Sequence, residues 1–266
     1  MNQMNASLRI AGAIAACLTT YAWPLGSAEA EDRESSTPAP ARADALDFRM
    51  RGELRNEYVD YQQGGGANLI VPRLDYAVTP AFSLRIEAPL VTSGPELAGE
   101  SNQSGFGDLL FRASYRVVRI SGYAAVIGSE LLLDTASKDS LGYGKEVLAP
   151  FAYASIDIPR CRSVLFPFIQ HYFTLGGDDS RPDVNYTSIK AAMLTRWPDR
   201  IYTVVEPQLI VDHERADRVG ATLEAEGGRF LTRQLAVWAR PGIGLHGDDL
   251  PQVYNWTLKI GVRYTF

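Results

Sequence analysis

The sequence contains few cysteines and few histidines, the residues that form disulfides and many metal or catalytic sites. Its 266 residues include 2 cysteines and 3 histidines. One cysteine, Cys17, falls in a predicted signal peptide, and Cys161 alone cannot form an internal disulfide. The formal net charge is −5, without the basic excess that nucleic-acid binding favours. We therefore expect a fold held together without disulfides and no nucleic-acid partner.

Long apolar runs are also missing. No segment beyond the signal region has the ~18 uninterrupted apolar residues of a membrane-spanning helix. The apolar stretch at residues 10–18 is shorter still, follows Arg9 and leads to Ala28-Glu29-Ala30, an A-x-A cleavage pattern. Residues 1–30 are therefore predicted to be a signal peptide that is removed on export. The sequence around Cys17 also resembles a lipoprotein processing site, which is the alternative.

The composition of the sequence changes after the predicted signal peptide. Residues 31–45 are polar and rich in proline and alanine, and they predict a flexible periplasmic arm. From residue 46 onward, apolar and polar residues alternate with a period of two. This alternation predicts β-strands, because successive side chains point to opposite faces of a sheet. The predicted strands lie at about 46–60, 67–79, 81–92, 105–118, 122–134, 146–158, 163–175, 185–196, 200–211, 218–229, 233–245 and 253–266.

The lengths and spacings of these strands predict a membrane barrel. Most suit the ~9–11 residues that cross a bilayer as a tilted strand. Short turns alternate with longer loops rich in glycine, aspartate and serine, which is the layout of an outer-membrane barrel. Lipid cannot satisfy open backbone groups, so a sheet in a membrane must close. The fold class expected for residues 46–266 is all-β, a closed antiparallel transmembrane β-barrel of about 12 strands in the cell outer membrane.

The last strand carries aromatic residues near both ends of its apolar face. That face consists of Tyr254, Trp256, Leu258, Ile260, Val262, Tyr264 and Phe266. Such a pattern is typical of a lipid-facing strand with aromatic girdles at the two interfaces. A chain that ends on this strand with a terminal phenylalanine resembles the C-terminal signature of bacterial outer-membrane barrels. The expected partners are outer-membrane lipid and lipopolysaccharide, and the barrel-assembly machinery through the strand that ends at Phe266.

The same alternation predicts which side chains face the lumen. An arginine or lysine on the lipid face at mid-depth would cost about 2–4 kcal/mol, so the charged face of each strand should point inward. The predicted lumen-lining residues, which form a candidate solute path, are Arg49, Arg51, Arg55, Arg73, Arg85, Glu87, Asp108, Arg112, Arg116, Glu130, Lys259 and Arg263. Leu46, Phe48, Met50 and Leu54 are predicted to face lipid. The sixth and seventh strands do not sort cleanly, which leaves the direction of His171 open.

Two interpretations of this lumen stay open. Its charged residues could form a salt-bridged filling that holds a narrow barrel shut. They could instead line a water-filled path that orients a polar or anionic solute. Both signs of charge occur among them, so the pattern alone does not decide. The expected function is an outer-membrane channel for the passive passage of small solutes.

Two glycine-containing segments carry a family resemblance. Gly105-Phe106-Gly107-Asp108-Leu109 opens a strand that ends in Tyr115-Arg116, and Leu141-Gly142-Tyr143-Gly144-Lys145 precedes the next strand. In these segments the chain resembles the transporter-like outer-membrane barrels named for the meta-pathway of phenol degradation. The resemblance covers residues 46–266 and implies uptake or export of small compounds, with aromatic or anionic ones as candidates. Asp134-Thr135-Ala136-Ser137-Lys138 departs from the Pro-Thr-Gly-Asp-like turn of many relatives.

An enzyme and a structural anchor are the alternatives to a channel. His213 lies between Asp212 and Glu214, and His246 precedes Asp248, so each has an acidic neighbour that would orient a catalytic base. No serine in a recognisable nucleophile motif lies near either histidine. The sequence therefore predicts no catalytic residue, no metal site and no cofactor. An enzyme of this kind would act on lipid or lipopolysaccharide, and an anchor would be a closed barrel.

Overall fold

β-Strands account for most of the chain that the structure describes. The computed structural model describes residues 48–62, 64–94, 102–248 and 250–266, so the predicted signal peptide and periplasmic arm lie outside the described residues. The strands are β1 (Arg51–Tyr61), β2 (Gly66–Thr79), β3 (Phe82–Glu87), β4 (Leu90–Ser93), β5 (Gln103–Phe106), β6 (Leu109–Ile120), β7 (Tyr123–Leu133), β8 (Lys145–Ile158), β9 (Ser163–Gly177), β10 (Asn185–Arg196), β11 (Ile201–Asp212), β12 (Arg218–Phe230), β13 (Leu235–His246) and β14 (Tyr254–Thr265). Short 3-10 turns occur at Asp139–Leu141, Pro159–Cys161 and His213–Arg215. No helix within these ranges is long and apolar enough to cross a membrane.

Two crossings of the wall are each split into two strands. β3 and β4 both pair with β2, and the break between them falls at Ala88-Pro89, where proline offers no N–H to the ladder. β5 and β6 pair with β4 and β3 in turn, and their break falls at Gly107-Asp108. The described strands therefore make twelve crossings, which confirms the predicted number.

Pairing between the first and last strands closes the sheet. β1 pairs antiparallel with β14 from Arg51↔Thr265 to Tyr58↔Leu258, and with β2 on its other side. Among the described strands, only β5 at the long-loop end has a side without a strand neighbour, and there the N–H of Ser137 donates to the carbonyl of Phe106. The other strands pair on both sides, so their backbone groups are satisfied from strand to strand, as a bilayer requires. The predicted closed antiparallel β-barrel is confirmed.

The two faces of the wall differ in polarity. Large apolar side chains stay exposed on the outer face, for example Leu84 and Ile260 at 43% and 53%. Their neighbours Arg85 and Lys259 point inward, where both make ion pairs. At the outer surface the rings of Tyr58 and Trp256 lie 4.9 Å apart between centroids. An apolar outside and a charged inside are the reverse of a water-soluble barrel and suit a lipid surrounding.

The connections differ at the two ends of the barrel. The short-turn end carries the connections β2–β3, β6–β7, β8–β9, β10–β11 and β12–β13. The long-loop end carries β1–β2, β4–β5, β7–β8, β9–β10, β11–β12 and β13–β14. In the turn between β6 and β7, Gly122 has φ +73°, a left-handed conformation that glycine adopts without strain. β1 begins and β14 finishes at the short-turn end, because the number of crossings is even.

Two aromatic residues that the alternation assigns to the lipid face lie inside instead. Phe48 packs against the apolar cluster inside the barrel, because it precedes β1 and no ladder fixes its direction. The Tyr254 hydroxyl donates to the inward-facing Glu224 at 3.0 Å. A register shift opposite Asp60 and Tyr61 turns the start of β14, so the two-residue period fails there. The predictions for Phe48 and Tyr254 were wrong.

We expect Gly228→Ala to destabilise the barrel. A Cβ at Gly228 would lie 2.3 Å from the Tyr202 ring, whereas nothing lies within 4 Å of the corresponding position at Gly227. Overpacking of this kind costs ~1–3 kcal/mol, and Tyr202 is held in place because its hydroxyl donates to Glu226 at 2.9 Å. Urea unfolding in detergent micelles, followed by the heat-dependent shift in gel mobility, measures the change.

Gly227→Ala is the matched control for this substitution. It lies one residue away on the same strand and should change the free energy of unfolding by less than about 0.5 kcal/mol. Equal unfolding midpoints for the two variants would contradict the close packing of Gly228 against Tyr202.

Candidate functional site: the charged lumen

Glu53 lies at the centre of the charged lining. Its exposed fraction is 6%, and Arg263 of the last strand donates from Nε to its Oε2 at 2.7 Å. Arg55 and Arg73 each lie 3.7 Å from its other oxygen. A buried carboxylate is stable only where cations and hydrogen bonds replace its lost hydration. The three guanidinium groups supply that replacement.

The network continues across β1, β2 and β3. Arg55 donates to Glu87 at 2.8 Å, which joins the first and third crossings over the second. Asp75 accepts from Arg85 Nε at 2.6 Å and from Arg73 at 2.7 Å. The side chains of these residues keep 12–18% of their surface accessible, so they are sheltered by the wall and not sealed within it.

A second arc of the network covers β12, β13 and β14. Arg240 contacts Glu226 at 2.8 Å and Glu224 at 3.3 Å. Lys259 donates from Nζ to Glu224 at 2.9 Å, and Arg263 lies 3.8 Å from Glu226. Because Arg263 also binds Glu53, the two arcs are continuous through the seam where the barrel closes.

A third charged group occupies the wall formed by β6, β7 and β9. Arg112 donates from Nε to Glu130 Oε1 at 2.5 Å, and Gln170 donates to Oε2 at 2.7 Å. The Arg112 guanidinium also lies 4.9 Å from the centre of the Phe151 ring. A cation over an aromatic face gains electrostatic stabilisation, so Arg112 is fixed by both a carboxylate and a ring.

Aromatic side chains line the lumen beside Arg112. The rings of Phe151, Tyr153 and Phe168 stack with centroids 5.5–6.0 Å apart. Phe48 enters from the short-turn end, where Arg116 lies 5.2 Å from its ring centre and also donates to the carbonyl of Pro80. A cavity of about 40 Å³ remains here, lined by Phe48, Arg49, Arg51, Asp75, Ser83, Arg85, Arg112, Ser114 and Tyr153. The lumen is therefore narrow at this end.

At the long-loop end, Asp108 holds the loop 134–144 in place. Its Oδ1 accepts hydrogen bonds from the backbone N–H groups of Thr135 and Ala136, each at 3.0 Å. Its Oδ2 accepts from the N–H of Tyr143 at 2.6 Å. Hydrogen bonds to a charged acceptor are stronger than neutral ones, so one carboxylate fixes both ends of this loop.

The two glycine segments meet at this contact. Leu141 is buried against Ala67 and Val91 on the inner face of the wall, so the loop 134–144 folds into the lumen. A Cβ at Gly142 would lie 2.6 Å from the Asp108 carboxylate, and one at Gly105 would lie 2.9 Å from Leu141. The glycines leave the space in which the loop and Asp108 come together.

Tyr143 lies near the end of this loop, where its N–H donates to Asp108. On β9 and β10, the rings of Tyr172 and Tyr186 are stacked, 4.3 Å apart. The loop 134–144, through the burial of Leu141 against the inner face, occupies part of the lumen at the long-loop end.

The acidic side chains of the outer loops are bonded locally. Among the residues that the structure describes, no group of three or more His, Cys, Asp or Glu is placed to hold a metal ion. The N–H and hydroxyl of Ser180 both donate to Asp178 at 2.8 Å, which lowers the pKa of that carboxyl from its usual value. Asp178 thus orders its own loop.

The structure places the predicted lumen residues in three settings. Arg55, Arg73, Arg85, Glu87, Lys259 and Arg263 belong to the network around Glu53, Arg112 pairs with Glu130, and Arg49, Arg51 and Arg116 lie near Phe48. Asp108 differs from the others, because loop backbone surrounds its carboxylate. Asp75, Glu206 and Arg240 were missed, although the same alternation on β2, β11 and β13 would have found them.

Comparison with known proteins gives a fold match. No protein-family model matches the sequence, and no curated protein matches it. The crystal structure of an outer membrane channel from Pseudomonas putida F1 matches with a TM-score of 0.67 and 13% identity, covering 86% of this chain and 99% of that one. The KdgM porin matches with a TM-score of 0.56 and 12% identity, covering 81% of this chain and 99% of that one. The same porin in complex with disordered oligogalacturonate matches equally well. The fold is that of outer-membrane β-barrels.

We expect Asp108→Ala to release the loop 134–144. A hydrogen bond to a charged group contributes ~1.5–3 kcal/mol, and three are lost together. Trypsin should then cut after the exposed Lys138 at least about tenfold faster in the folded barrel, because cleavage follows local opening. Mass spectrometry of timed digests measures the rate.

Asp134→Ala provides the charge-matched control, since Asp134 is an exposed carboxylate at the start of the same loop. Its digestion rate should equal that of the unchanged protein. Identical rates for Asp108→Ala and Asp134→Ala would show that the carboxylate does not hold the loop.

Proposed function

We propose that the protein is an outer-membrane channel for the passive passage of small solutes. The observation that carries this proposal is the solvent accessibility of the charged side chains that line the barrel. Arg112, Lys190 and Arg240 keep 20%, 27% and 21% of their side-chain surface accessible although they point into the barrel. Water therefore reaches the lining, which is the requirement for a polar solute to cross.

The arrangement of charge supports a path and not only a filling. The ion pairs run along the wall from strand to strand, and each cation lies beside a carboxylate of its own or a nearby crossing. If these side chains only filled the lumen, apolar side chains would serve equally well, because they avoid the desolvation cost of buried charge. The fold match to an outer membrane channel and to a porin supports the same conclusion.

The dimensions of the lumen limit the solute. The loop 134–144 narrows the long-loop end through Leu141, and Phe48 narrows the short-turn end, so only small molecules would pass. The resemblance to barrels named for the meta-pathway of phenol degradation favours aromatic solutes, and the stacked rings beside Arg112 offer both an aromatic and a cationic surface. We also propose that the signal peptide at residues 1–30 directs export and that the assembly machinery inserts the barrel through the strand ending at Phe266. The inserted barrel would contact outer-membrane lipid and lipopolysaccharide.

Single-channel recording in a planar bilayer tests the proposal. The refolded protein should give discrete conductance steps. Arg85→Ala and Arg112→Ala each leave a carboxylate, Asp75 or Glu130, without its nearest cation. Both variants should shift the reversal potential in a salt gradient towards cation selectivity, because one positive charge has been removed from the path.

Arg229→Ala is the control for these variants. Arg229 is exposed on β12 and pairs in register with Ile201 and Val237 on the outer face, so its loss removes the same charge outside the lumen. Its reversal potential should be unchanged. A folded barrel that inserts but stays silent would overturn the channel proposal and favour a closed structural barrel. Equal selectivity in all three variants would place the conducting path elsewhere.

A further inference from the structure

A chain of polar side chains lies on the outer face of the barrel at the long-loop end. Thr187 of β10 lies between the inward-facing Tyr186 and the fully buried Ser188, so its own side chain points outward. His171 of β9 is directly opposite Thr187 in the ladder. His213 follows β11 at the start of the next loop. The structure thus settles the direction of His171, which the sequence leaves open.

These polar side chains are linked by a continuous series of short contacts. Thr187 Oγ1 lies 2.9 Å from His213 Nε2, and His213 Nδ1 lies 2.6 Å from Asp217 Oδ1. His171 Nδ1 lies 3.1 Å from the same threonine oxygen. Towards the middle of the wall the chain is bordered by Ile189, which is 44% exposed. On the loop side the ring of Phe173 lies 5.8 Å from that of His171, so the polar groups are set within the apolar outer face near its long-loop end.

When Asp217 is ionised and His213 is neutral, the direction of each hydrogen bond follows. Asp217 only accepts, so His213 carries its proton on Nδ1 and donates it to Asp217. His213 Nε2 is then an acceptor and takes the hydroxyl proton of Thr187. Because that proton is used, His171 Nδ1 must donate to the threonine oxygen. The result is a hydroxyl whose proton points at an oriented base.

We propose that Thr187, His213 and Asp217 form a hydrolytic site that cleaves carboxylic esters of lipids in the outer leaflet. Hydroxyl, imidazole and carboxylate in this order have the roles of a nucleophile, a general base and an orienting group, and such triads are recognised by geometry and not by sequence position. The ester groups of a lipid lie at the boundary between acyl chains and headgroups, and the three side chains lie near the long-loop end of the wall beside apolar outer residues. This activity is separate from passage through the lumen.

The reaction balances with water as the only other reactant. Thr187 Oγ1 bonds to the ester carbonyl carbon while its proton passes to His213 Nε2. In the proposed step His171 Nδ1–H, which lies 3.1 Å from Oγ1, shifts its hydrogen bond to the oxyanion. The C–O bond to the alcohol then breaks, and the alcohol leaves with the proton from His213. Water, deprotonated by His213, attacks the acyl-threonine ester. The fatty acid leaves and Thr187 regains its proton.

Hydrolysis of the 4-nitrophenyl ester of dodecanoic acid by the folded full chain in detergent micelles tests the proposal. The unchanged protein should release 4-nitrophenol above the rate of micelles alone. Thr187→Ala and His213→Ala should each lower the enzymatic rate by about 100-fold or more. Thr187→Ser keeps the hydroxyl and should retain activity. Stopping the reaction with acid early should reveal a dodecanoyl group on Thr187 by peptide mass spectrometry.

Thr195→Ala is the matched control, because Thr195 is on the same strand and the same face as Thr187 but at the short-turn end. It should hydrolyse the ester at the unchanged rate. Each variant is first shown to be folded by its heat-dependent gel shift, so a loss of rate cannot come from unfolding. A rate no higher than that of micelles alone, or equal rates for Thr187→Ala and Thr195→Ala, would overturn the proposal.

Discussion

The pairing of β1 with β14 is the contact on which the rest of the structure depends. A bilayer offers no hydrogen bonds to an open strand edge, so the wall exists only as a closed ring. Closure forces one face of every strand inward, and the charged side chains must then neutralise one another in a small space. Glu53 and Arg263 do this across the seam itself, 2.7 Å apart. Backbone closure and the side-chain network are therefore two results of the same constraint.

The mouth of the barrel is built by a different kind of contact. Asp108 occupies the break between β5 and β6, where it no longer belongs to the ladder, and it binds the backbone of the loop 134–144. A side chain on the wall thus determines how far the loop reaches across the lumen. Leu141 secures the loop from below by its burial against the inner face. The wall and the constriction form one structural unit.

Alternation along the chain was enough to predict the wall, because register in a sheet with one lipid face is fixed by the cost of exposing charge to lipid. The sequence could not predict Phe48, since it precedes the ladder and only tertiary packing decides its direction. Asp108 was recognised as part of a segment of interest, but its partners lie more than 25 residues away in the chain. The contact between Thr187 and His213 could not be predicted from the sequence for the same reason. The two residues are 26 positions apart and no local motif links them.

The two split crossings lie side by side in the wall. Across them, the only backbone bond between the breaks in the described residues runs from the N–H of Gly107 to the carbonyl of Pro89, at 2.9 Å. The ladder between these two crossings is therefore interrupted at the breaks, between the pairs Glu87↔Leu110 and Leu90↔Phe106. When the bilayer bends or changes thickness, strain in the barrel should concentrate at this hinge line. Since Asp108 lies on it, a shift of this line would also move the loop 134–144 that Asp108 holds at the mouth.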